Sequence, residues 1–108
     1  MNGLAASLRQ MLAVLEEERQ ALAALDLDAI TASCETKQEI CGTLVAANDG
    51  AAAPGGPDAE CRALLEAARH ANETNRRIRN LLAANVAARL EVLSGKPATY
   101  RAPAARIA

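Results

Sequence analysis

Residues 22–30 read Leu22-Ala23-Ala24-Leu25-Asp26-Leu27-Asp28-Ala29-Ile30, and the fold depends on what the chain does here. Before this stretch the seam positions are Leu4, Leu8, Met11, Leu15, then Glu18, then Leu22 and Leu25. Their steps alternate between four and three, a heptad seam along one helix with a single polar interruption. Continued in phase, that seam would next reach Ala29 and Ala32. The large residues fall instead at Leu27, Ile30, Cys34, Cys41 and Leu44. Leu27 is two residues past Leu25, about 200° of helical rotation, so the stripe has moved to the opposite face. A straight helix cannot bury both stripes against one partner. The phase jump predicts a break near Asp26, which suits an N-cap, with Leu25 and Ile30 as a hydrophobic staple across it. Neither Gly nor Pro marks the turn, and the alternative is one continuous helix with alanine filling the gap.

Outward from there the punctuation is plainer. The second helix should fade near Asn48, because Asp49-Gly50-Ala51-Ala52-Ala53-Pro54-Gly55-Gly56-Pro57 is rich in breakers. Asp58 then caps a third helix that meets no breaker until Ser94-Gly95, with Pro97 behind it. Helices are expected over about 2–24, 27–47 and 58–94. They form one helical domain over residues 1–95, followed by an extended, flexible tail over 96–108. The third helix is about 55 Å long, against about 33 Å for each of the others. The expected fold is all-α, a three-helix antiparallel bundle or coiled coil with a long third helix.

Composition agrees. Ala, Leu, Glu, Arg and Lys fill 62 of 108 positions, 27 of them alanine, in the range of long helices and coiled coils. One aromatic, Tyr100, and four valines are too few for a packed sandwich or barrel. No apolar run reaches the ~18 residues of a membrane span. Residues 1–18 show no basic segment ahead of an apolar core, so a soluble, cytoplasmic protein is expected.

The net charge of −1 hides an uneven split. Residues 1–57 hold three Lys/Arg against eight Asp/Glu, and residues 58–108 hold nine against five. A nucleic-acid binder has a basic surplus over its whole domain, so none is expected as partner; the halves are expected to face each other. In an up-down-up arrangement Glu17 lies level with about residue 73, which sets Glu16, Glu17 and Glu18 beside Arg76, Arg77 and Arg79. Past about residue 80 the third helix outruns its partners. It still carries Leu81, Leu82, Val86, Leu90, Val92 and Leu93. An apolar stripe with nothing to pack on marks an interaction surface.

Chemistry has little support. Cys34, Cys41 and Cys61 are odd in number and fit no CxxC spacing; they read as small buried hydrophobes. His70 is the only histidine, and it forms no metal or catalytic spacing with them. No enzyme activity, cofactor or metal is expected. The run Glu16 to Glu18 reads as a solvated face. Asn72 and Asn75 lie three apart on one face, where the seam would otherwise be apolar. A polar residue at a seam position can specify register or partner.

These residues meet a known pattern. Leu12, Leu15, Glu16, Glu18, Leu22, Asp26-Leu27-Asp28-Ala29-Ile30 and Lys37 resemble the first half of FlgN-like flagellar export chaperones. The resemblance continues in Ala71-Asn72-Glu73-Thr74-Asn75 and in Leu90, Leu93 and Gly95 ahead of Thr99-Tyr100. It covers nearly the whole chain, although Arg76 and Arg101 stand where the family usually has glycine and the chain is short for the family.

The resemblance implies a cytosolic chaperone of the flagellar type III export system, which keeps hook–filament junction (hook-associated) subunits export-competent and delivers them to the export gate. On that reading Asn75, Ile78, Leu82, Val86, Leu90 and Leu93 bind cargo, and Tyr100 docks on the export-gate protein. Free of cargo, the chain is expected to form a homodimer at high concentration, covering its apolar stripe. The alternative is a structural coiled coil, a self-assembling part of a secretion or flagellar apparatus.

Overall fold

The computed structural model describes residues 3–50 and 58–95. They form three helices, α1 (Gly3–Ala24), α2 (Leu27–Gly50) and α3 (Ala59–Leu93), and no strand is present among them. The expected loop residues 51–57 and the tail 96–108, Tyr100 included, lie outside the described residues. Two compact units divide the chain, residues 1–77 and 78–108, with the division falling within α3.

The break near Asp26 is present, and its mechanism explains why no Gly or Pro was needed. Leu25 adopts a left-handed conformation, φ 55°. The Leu25 N–H bonds the Leu22 carbonyl at 3.2 Å and the Asp26 N–H bonds that of Ala21 at 3.0 Å. This is a Schellman cap, with leucine in the place glycine usually takes. Asp26 then caps α2: its carboxylate accepts from the Ala29 N–H at 3.1 Å, and its carbonyl accepts from Ile30 at 2.9 Å. The staple is the part that departs from expectation. Leu25 remains 60 % exposed, because its left-handed backbone belongs to the cap.

Asp58 caps α3 in the same way, its carboxylate 2.8 Å from the Cys61 N–H. That bond holds the Asp58 carboxyl below its ordinary value. At the other end Gly95 takes φ 73° and bonds the Val92 carbonyl at 3.2 Å, a positive φ that glycine adopts freely. α2 runs three residues past its expected end, to Gly50.

Within the first unit the helices run up, down and up. Lys37 of α2 meets Glu18 of α1, whereas Leu44 packs against the cluster of Ala5, Leu8 and Cys61, so α1 and α2 are antiparallel. Arg9 pairs with Glu60 and Leu15 with Asn75, so α3 follows α1 in direction. A second cluster joins Met11, Val14, Leu15, Ile40 and Ala68. Each large member contributes about 1.5–3 kcal/mol by leaving water.

The seam of α1 is as expected, with Leu8, Met11, Leu15, Glu18 and Leu22 all buried. That of α2 is not. Its inward positions are Ile30, Ser33, Lys37, Ile40, Leu44 and Ala47, with Ser33 and Ile40 buried and the others half-buried. Leu27 and Cys41, expected on the buried stripe, are exposed. The true seam has the right heptad spacing, but Ser33 and Lys37 disguise it. Of the three cysteines only Cys61 is buried; Cys34 is half-buried.

Candidate functional site

Two features of α3 bear on function, one in each unit. In the first, α1, α2 and α3 each place a polar residue at one level of the seam. The Glu18 side chain is 0 % exposed, which corrects the reading of Glu16 to Glu18 as a solvated face. Glu16 and Glu17 are exposed; Glu18 points inward. Its carboxylate receives the Lys37 ammonium at 3.2 Å and the Asn75 amide at 3.0 Å. The same amide donates to the Leu15 carbonyl at 2.9 Å. Lys37 also donates to the Asn72 side-chain oxygen at 2.9 Å. Among the described residues no buried side-chain nitrogen or oxygen lacks a partner.

Asn75 stands at the polar seam level, whereas Asn72, expected there with it, is exposed and meets the layer only through Lys37. Asn75 is 1 % exposed, with its amide turned onto α1. Burial in the layer sets it apart from the other residues expected to bind cargo. Lys37 is the member that large-residue periodicity missed; a cation four residues after Ser33 at heptad spacing was the available signal.

The expected pairing of the Glu16 cluster with the α3 arginines takes a different form. Glu16 is bonded within α1 to Arg19, at 2.6 Å, which lowers its pKa. Arg76 and Arg77 hold Glu73 within α3 at 2.7 and 3.1 Å. The Arg76 guanidinium, with help from Arg77, holds the Glu73 carboxyl down at about 2. These are surface pairs one helical turn apart, screened by the surrounding water. Between helices, Arg9–Glu60 joins α1 to α3 and Lys37–Glu18 joins α2 to α1.

The second feature belongs to the unit that begins at Ile78. Leu81, Val86, Leu90, Val92 and Leu93 are all exposed, Leu93 at 81 %. Ile78 and Leu82 are half-buried. A shallow groove on this segment is lined by Asn85, Ala88, Arg89, Val92 and Leu93. Scattered surface leucines are ordinary, but five large apolar residues within thirteen positions of one helix form a patch.

His70 is exposed, on a shallow groove between α1 and α3 with Leu12, Ala71 and Thr74. Among the described residues no group of three or more His, Cys, Asp or Glu side chains lies close enough to hold a metal ion. Among the described residues no helix is long and apolar enough to cross a membrane. No known family model, curated protein or solved structure matches the chain.

Proposed function

We propose that the chain is a cytosolic chaperone of the flagellar type III export system, as its resemblance to FlgN-like proteins implies. It receives the terminal helical segment of a hook–filament junction subunit and carries it to the export gate. One observation supports this most: the exposed apolar residues of α3 from Leu81 to Leu93. A helix with its own apolar face would bury them, in the helix-in-groove mode. Ile78, Leu82, Val86, Leu90 and Leu93 are the contact residues, with Asn75 removed from the set. Tyr100 is assigned the docking role by the resemblance alone; an aromatic with a hydroxyl suits a short docking peptide.

The reading is tested by titrating a junction-subunit helical segment against wild type and Leu90→Glu. Binding should weaken at least about tenfold, with the thermal midpoint unchanged within about 2 °C. A Leu90→Glu chain that loses its fold before its affinity would make this face core. The second reading, a self-assembling structural component, draws on the same exposed face. In that case sedimentation shows an ordered oligomer that Leu90→Glu disperses, and the junction segment does not bind.

A further inference from the structure

An exposed apolar face does not by itself say which helix it accepts. The heptad spacing that turns Cys61, Ala68 and Asn75 inward continues in the sequence through Ile78, Leu82, Asn85, Arg89 and Val92. At about 100° per residue, Asn85 and Arg89 fall within about 20° of the line through Ile78. Leu81 and Val92 lie on one side of that line, and Leu82, Val86 and Leu93 on the other. A cation and an amide therefore stand in the middle of the apolar face, where they line one groove with Ala88, Val92 and Leu93. Arg89 is exposed and has no ion-pair partner among the described residues. The one carboxylate in residues 78–95, Glu91, is about 200° around the helix from it.

The first unit shows how this chain satisfies such an interruption. There Lys37, on the α2 seam, faces Glu18 on the α1 seam, and Asn75 donates to the same carboxylate. We propose, resting on the docking reading above, that the occupant of the 78–93 face is an amphipathic helix of another protein with an acidic seam residue. Its carboxylate pairs with the Arg89 guanidinium and accepts a hydrogen bond from the Asn85 amide. A second copy of this face cannot supply that group. In parallel register it sets Arg89 against Arg89, and in either direction its one carboxylate, Glu91, lies on the far side. The acidic residue is thus a selection rule: burying Arg89 under a purely apolar seam leaves a desolvated charge unpaired, and a basic seam repels it.

Two probes of about 21 residues (three heptads) test this, both helical peptides with a leucine seam. One carries glutamate at its central seam position and the other lysine. Their affinities are measured by calorimetry for wild type and for Arg89→Glu, with circular dichroism melts to establish that both proteins are folded. Wild type should bind the glutamate peptide about tenfold more tightly than the lysine peptide, and Arg89→Glu should reverse the order. Equal affinities that residue 89 does not change overturn the acidic-seam rule and leave the docking face standing. Failure of both probes while a junction-subunit segment still binds overturns this proposal alone. Failure of all three ligands overturns the docking face with it.

Discussion

Asn75 occupies a seam position where leucine would fit the spacing equally well, and its amide there bonds a backbone carbonyl and a buried carboxylate. The bonds are worth little net against water, but their loss is costly, because the groups left behind are already out of solvent. Asn75→Ala should therefore destabilise the fold by about 1–3 kcal/mol in urea unfolding. The comparison that separates the polar layer from mere volume is Glu18→Leu with Lys37→Leu and Asn75→Leu together. Replacing the whole layer removes the desolvation cost, so that chain should be as stable as wild type or more stable by about 1–4 kcal/mol. It should also lose its single register, seen as extra amide resonances or mixed oligomers. A triple variant with one sharp set of resonances would show that packing alone fixes the register.

Among the elements, the α1–α2 turn is where the backbone is strained, with Leu25 at φ 55°. A left-handed leucine costs about 1–2 kcal/mol relative to a helical conformation, and glycine at that position avoids the strain while adding freedom to the unfolded chain. Leu25 is mostly in water and gives up little packing. Leu25→Gly should thus stabilise the fold by about 0.5–1 kcal/mol in urea unfolding, and destabilisation would mean that the side chain is packed in solution. The break is where the sequence placed it, although the two leucines that pointed to it, Leu25 and Leu27, are both exposed and neither lies on a buried stripe. Its means was not legible, since a left-handed leucine leaves no mark in the sequence. The seam of α1 was legible because its residues are large and apolar. That of α2 was hidden, because Ser33 and Lys37 sit on it while Leu27 and Cys41 face out. Heptad spacing was the better guide there, and residue size the worse one. Glu18 was misassigned for a related reason: a carboxylate reads as solvated until its partner, on another helix, is known.

Across the whole chain, order of helices, their direction and the long α3 followed from caps, breakers and spacing. The contacts between helices did not, because they depend on which polar groups meet. The stripe on α3 was legible as six large residues without a partner in the sequence, and five of them are exposed, with Leu82 half-buried. What covers it decides what the protein does. Amide hydrogen exchange, measured with and without a junction-subunit helical segment, addresses it most directly, since it reports residue by residue where a bound helix suppresses opening. Added protection is expected over residues 78–93, with α1 and α2 unchanged. Protection confined to α1 and α2, or none on α3 at saturating ligand, would contradict docking on α3.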